Sequence, residues 1–158
     1  MNKLLALDQS SKITGWAIFA DGKLEKFGKI ELDNPDLGVR LNQLRGRIRK
    51  LIEDNNIDEI VMEDIQLQQN VQLFKTLAEV FGVLYELFTE MRIPNSAVLA
   101  SSWKSTLGIK GKDRTAQKRN AQQYIINTYN QKPTQDECDA ICIGLHYLAN
   151  QNPNDWSN

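Results

Sequence analysis

At 158 residues, 41% of them apolar, the chain can form the core of one compact domain and is too short for two. No stretch approaches the roughly 18 uninterrupted apolar residues of a membrane span, and the start MNKLLALDQSS is too short and too soon acidic for a signal peptide, so a cytoplasmic protein with no membrane partner is expected. The net charge of -1 gives no whole-molecule attraction for polyanions, but Lys104, Lys110, Lys112, Arg114, Lys118 and Arg119 form a band of cations interrupted only by Asp113.

In chain order, Lys3 to Leu7 form an apolar run that ends at Asp8, as a buried central strand would. A polar turn, Gln9 to Lys12, leads to a second strand over Thr14–Phe19. Asp21-Gly22 marks a tight turn into a third strand, Lys23 to Ile30, giving an antiparallel meander. Leu37, Leu41, Leu44, Ile48, Leu51 and Ile52 recur at helical spacing, and Asn55-Asn56 closes that helix. Ile57 to Met62 reads as a strand delivering Glu63. A helix over 71–91 follows, with an apolar stripe of Phe74, Leu77, Ala78, Phe81, Leu84, Tyr85 and Phe88. After Pro94, Ala97-Val98-Leu99 reads as a fifth strand, and Ser101-Ser102 as the cap of a brief helix carrying Trp103 and Lys104. Gly108 to Lys112 reads as a mobile loop. Helices are expected from about Thr115 to Tyr129 and from Asp136 to Ala149, with a frayed tail over 151–158. The domain therefore spans 1–150, an α/β arrangement of a five-stranded mixed sheet flanked by helices on both faces.

Three acidic stations end or begin apolar elements: Asp8, Glu63, and the pair Asp136 and Asp139. If the first and fourth strands are neighbours, about 4.8 Å apart, Asp8 and Glu63 lie side by side. The i, i+3 spacing of Asp136 and Asp139 puts both on one helical face. Four crowded carboxylates need cations to neutralise them, and an all-oxygen set suits Mg²⁺ or Mn²⁺. Two such ions roughly 3.5 to 4 Å apart can activate water against a phosphodiester. Each residue also has a plain reading. Asp8 could cap a turn, Glu63 beside Asp64 could be a solvated strand end, and Asp136 could cap the last helix with Asp139 favouring its N-terminus. The basic band could be a solvated helix face. Cys138, Cys142 and His146 form a stripe better read as core than as a zinc site, which needs four ligands, and the two thiols are expected to be reduced.

The segment Leu-Ala-Leu-Asp8-Gln-Ser-Ser-Lys-Ile-Thr-Gly15-Trp-Ala resembles the first motif of RuvC-type Holliday junction resolvases of the RNase H-like superfamily. Ile-Val-Met-Glu63-Asp is similar to their second motif, and Asp136-Glu-Cys-Asp139-Ala to their closing one, with the order and separations kept from Asp8 to Gly144. The resemblance implies a magnesium-dependent endonuclease with Mn²⁺ as substitute. Asp8, Glu63, Asp136 and Asp139 would be metal ligands and catalytic residues, holding two ions. Lys104 and Lys118 would stand near the scissile phosphate, and Lys104, Lys110, Lys112, Arg114, Lys118 and Arg119 would contact DNA.

The substrate class implied is branched DNA: Holliday junctions, with forks and three-way junctions as further candidates. A homodimer with helix 71–91 at its interface would place two sites on a two-fold junction and make paired, symmetric nicks. The compact size is similar to that of phage-borne or Gram-positive members. An aromatic residue that some members place after the glutamate motif has no clear equivalent in Glu63-Asp-Ile-Gln-Leu-Gln-Gln, with Phe74 as a stand-in. Two rival readings are a branched-DNA-binding protein without catalysis and an actin-like ATPase fragment, the latter from the Asp8-to-Gly15 hairpin alone.

Overall fold

In the computed structural model, which describes residues 2–151, the N-terminal apolar run becomes the middle strand of a five-stranded sheet. β1 (Lys3–Asp8) pairs antiparallel with β2 (Ile13–Ala20), which pairs antiparallel with β3 (Lys23–Glu31). On its other side β1 runs parallel to β4 (Glu59–Glu63), and β4 parallel to the edge strand β5 (Asn95–Val98), so the order is β3-β2-β1-β4-β5. The Asp21-Gly22 turn has both residues at positive φ, 50° and 79°, which matches the twist a two-residue hairpin demands.

Strand alternation divides the core in two. Leu5 and Leu7 of β1 with Ile60 and Met62 of β4 face α1 (Leu37–Asn55) and α2 (Val71–Glu90), meeting Leu44, Ile48, Val80, Leu84 and Phe88. Leu4, Ala6 and Val61 face the opposite side. There α3 (Ala100–Thr106), α4 (Arg114–Tyr129) and α5 (Gln135–Gln151) bring Trp103, Ile125, Ile141 and Cys142. Helices thus flank both faces, as the sequence predicts. Gly144 is where α5 presses hardest on β2: a Cβ there would lie 2.2 Å from the Phe19 ring.

Several boundaries move for local reasons. Ile57 does not start β4, because its N–H donates to the Ile52 carbonyl (3.1 Å) and closes α1, whose left-handed cap is Asn56. Neither Ser101 nor Ser102 caps α3: both lie inside it, and Leu99 occupies the cap position without a side-chain bond. The α2 stripe is rotated from the predicted one. Val80, Leu84, Leu87 and Phe88 are buried, whereas Tyr85 is 55% exposed and stacks on Phe81 at the rim. Phe74 is half-buried. Gly108 to Lys112 is a loop as read, but an anchored one. Ile109 is buried, Asn120 donates to the Lys110 carbonyl, and a Cβ on Gly111 would come within 2.6 Å of the Gln117 nitrogen.

Cys138, Cys142 and His146 are all buried along α5. Both thiols are free; that of Cys142 is pushed up by a hydrogen bond with Cys138 and by burial, and burial pushes the His146 imidazole down while its Nδ1 pairs with Thr106 Oγ1 at 2.9 Å. The stripe is core. Gln151 belongs to α5, and the rest of the predicted tail, 152–158, lies outside the described residues. Among the described residues no helix is long and apolar enough to cross a membrane.

Candidate active site

The site is set by where the central strands stop. The parallel register pairs Leu7 with Met62, so Asp8 and Glu63 fall on the next rung. Alternation puts both on the face of Ala6 and Val61, toward α5. Directly across β1 from Asp8 is Gly15 of β2, and α5 begins against it: a Cβ on Gly15 would stand 1.9 Å from the Asp136 carbonyl oxygen. No side chain fits there. The absence of one at Gly15 is what lets Asp136 and Asp139 approach Asp8.

The start of α5 is held by a reciprocal pair. Thr134 Oγ1 accepts from the Glu137 N–H (3.3 Å), and Glu137 Oε1 accepts from the Thr134 N–H (2.8 Å). Capping is therefore done by Thr134 and Glu137. Asp136, which the sequence alone allowed as the cap, is left to face the cleft. The signature Thr134-x-x-Glu137 was readable in the sequence and goes unused in that reading.

Asp8, Glu63, Asp136 and Asp139 line one open cleft of about 660 Å³ together with Lys104, Arg114 and Lys118. The carboxylates feel one another. Burial pushes Asp8 well above the usual carboxylate range, and the charges of Asp139, Glu63 and Asp136 push it further, against the pull of Lys118. Burial and then Asp139 raise Glu63 from 4.5 to about 7, opposed by Lys104, the Trp103 indole and Arg114. Asp139 is raised from 3.8 to about 6 by burial, with Lys118 and Lys104 opposing. The acids surround the cleft without closing into a cage: among the described residues no three His, Cys, Asp or Glu side chains form a ready cluster of ligands. A half-buried, mutually repelling, all-oxygen donor set fits a hard divalent cation and offers a thiophilic one nothing.

Of the six predicted DNA contacts, Lys104, Arg114 and Lys118 stand on the cleft wall; Lys110, Lys112 and Arg119 are exposed outside it. Lys104 Nζ donates to Gln117 Oε1 (3.3 Å) and lies 5.4 Å from the centre of the Trp103 ring. Asp113, the lone acid of the band, caps α4 by accepting from the Ala116 N–H at 2.9 Å. Trp103 is only 2% exposed, yet it also forms cleft wall. Among the described residues its indole N–H has no partner at full hydrogen-bond geometry, and it lies on the side of Glu63, whose carboxyl it pulls down. Gln9, passed over as a turn residue, is buried against Glu63. Phe74 does not line the cleft; Leu73 and Leu77 do, and Leu67, between the lining residues Gln66 and Gln68, is 86% exposed.

Fold and cleft together define an RNase H-like domain with an acidic centre walled by lysines. The family model for crossover junction endodeoxyribonuclease RuvC matches residues 4–147, and the chain belongs to that family, the endonucleases that resolve Holliday junctions. RuvC-type resolvases depend on divalent metal, and membership sets aside the actin-like ATPase reading. Among solved structures the chain resembles Thermus thermophilus RuvC in complex with a Holliday junction substrate, with 13% identity, TM-score 0.79, and 96% of this chain and 97% of that one covered. It also resembles the Fowlpox virus resolvase bound to Holliday junction DNA (14%, TM-score 0.65, 95% and 99% covered) and the yeast mitochondrial Holliday junction resolvase (15%, 0.59, 93% and 78%). No curated protein sequence matches the chain.

Proposed function

We propose that this chain resolves Holliday junctions by divalent-metal-dependent hydrolysis, with Asp8, Glu63, Asp136 and Asp139 as the metal-binding catalytic carboxylates. The carrying observation is the meeting of these four acids, from three separate elements, with Lys104 and Lys118 in one cleft. Mg²⁺ is the natural occupant and Mn²⁺ its substitute. When bound, a pair of such ions supplies activated water and stabilises the leaving oxygen of a phosphodiester. Asp8 and Glu63 sit on rigid strand ends, so their oxygens are presented at fixed spacing, while Asp136 in the first turn of α5 and Asp139 in its second stand on the other side of the site.

Lys104 and Lys118 temper the acids' repulsion and stand where a phosphate's non-bridging oxygens would meet them. The Trp103 ring and Gln117 Oε1 both hold the Lys104 ammonium. Arg114, exposed on the cleft wall, adds a third positive charge to it. Lys110, Lys112 and Arg119, outside it, would track the backbone of a duplex arm. Replacing Lys110 and Lys112 by Ala should flatten the log-log salt dependence of junction binding by about 0.9 per lost phosphate contact, so by roughly two for the pair. An unchanged slope removes both lysines from the DNA surface.

The substrate is branched DNA, four-way junctions first, with forks and three-way junctions as further candidates. Paired nicks on opposing strands call for two active sites related by two-fold symmetry, hence a homodimer. Part of α2 is already committed to this chain's own core and Leu73 to the cleft wall, but Val71 (77% exposed) and Tyr85 (55%) remain available on it. Sedimentation of the protein with a synthetic junction should give two chains per DNA; one chain per junction would end the dimer reading. Cleavage of four-way, three-way and linear DNA with Mg²⁺, Mn²⁺ or chelator tests the reading as a whole. It predicts cutting of the four-way form and none in chelator.

A further inference from the structure

The last backbone-paired rung between β1 and β4 is Leu7 with Met62. One residue beyond Asp8, a side chain continues the ladder. Gln9 Nε2 donates to the Glu63 carbonyl at 2.6 Å, and the Glu63 N–H donates back to Gln9 Oε1 at 3.3 Å. A primary amide making both bonds to one residue imitates a peptide unit and adds a rung where the backbone itself turns away. Gln9 is only 8% exposed, so water does not compete freely for these bonds.

The other end of this link is equally fixed. Gln9 is covalently joined to Asp8, and the turn that follows is tied by Thr14, fully buried, whose Oγ1 accepts from the Ser10 N–H (3.1 Å) and donates to the Ser10 carbonyl (2.9 Å). Slack on either side of Gln9 is thereby removed. Displacing Glu63 from Asp8 requires breaking the amide's bonds or bending a pinned turn.

We propose that Gln9 is a positioning residue that sets the separation of the Asp8 and Glu63 carboxylates, and so the affinity of the cleft for its divalent ion. The proposal rests on the reading of these two acids as metal ligands. Groups that orient metal ligands affect metal affinity by roughly ten- to a hundredfold when removed. Gln9 touches neither DNA nor metal in this scheme. A residue that merely filled space would leave metal affinity unchanged once the protein folds.

The test is calorimetric titration of the full chain with Mn²⁺, with Glu63→Gln alongside, plus junction binding in chelator and cleavage against Mg²⁺ concentration. Gln9→Met keeps the length and loses the amide; Gln9→Asn keeps the amide but falls a methylene short, and stands in if the Met variant fails to fold. The expected result is a roughly ten- to hundredfold loss of Mn²⁺ affinity, unchanged junction binding in chelator, and cleavage that recovers at high Mg²⁺. Wild-type Mn²⁺ affinity in the folded Gln9 variants, with Glu63→Gln impaired, overturns the role of Gln9 and leaves the metal site standing. If Glu63→Gln binds Mn²⁺ like the parent protein, the metal reading itself fails and takes Gln9's role with it.

Discussion

Asp8→Asn is expected to bind a synthetic four-way junction as the parent protein does, and to cut it slower by a factor on the order of a thousand or more. The amide has the shape of the carboxylate and loses its charge. Asp8 lies at the centre of the acidic group, feeling Asp139, Glu63 and Asp136 at once, so removing its charge weakens the cleft's hold on any cation. The same change should make the metal-free protein more stable, because burial and like charges both disfavour ionised Asp8. Raised thermal stability in chelator beside lost cleavage separates a chemical defect from a folding one. Cleavage at the parent rate would support the rival reading, a protein that binds branched DNA without cutting it.

A second large effect is the pH dependence of stability without metal. Glu63 titrates at about 7 and Asp139 at about 6 in the folded chain, against ordinary values of 4.5 and 3.8, and Asp8 is shifted in the same direction. The folded state therefore holds these protons more tightly than the unfolded one. Stability from Glu63 and Asp139 is complete at acid pH, declines as the unfolded chain begins to ionise above about 4, and reaches its floor once pH passes their folded values of about 7 and about 6. For Glu63 the loss is on the order of 3 kcal/mol before solvent screening, and the acids titrate as a group, so single contributions do not add.

In chelator the melting temperature should thus fall between about pH 5 and pH 8, and Mg²⁺ should restore more of it at about pH 8, where the ligands are ionised. A flat profile in chelator, or an equal Mg²⁺ effect at both ends, contradicts the shared acidic site.

Much of this was legible because the site is built on the most regular part of the chain. Apolar runs ending in Asp8 and Glu63 stand out against any background, and the i, i+3 pair of Asp136 and Asp139 is fixed by helix geometry. Apolar patterning and turns carried the sheet, and the resemblance of these segments to RuvC motifs, in order, carried the family. What escaped the sequence was of another kind. In α2, apolar side chains occur on more than one face, so spacing left the buried face undecided, and Tyr85 was placed inside when it lies out. The cap of α5 was readable in Thr134 and Glu137, but a nearby aspartate competed for the role.

Gln9 carries no sequence signal, since a side-chain amide replacing a backbone rung depends on how two distant strands end. The split of the basic band was equally hidden. Whether a lysine faces the cleft depends on how α3, the loop from Gly108 and α4 pack together, and the close approach of Gly111 to Gln117 is part of that packing.

The most direct test of the central claim is a crystal soaked in Mn²⁺ and measured for anomalous scattering. The account predicts peaks bounded by the side chains of Asp8, Glu63 and Asp139, weakened by Asp8→Asn. Peaks confined to other surfaces, or a cleft that stays empty while Mg²⁺-dependent cutting proceeds, would contradict it.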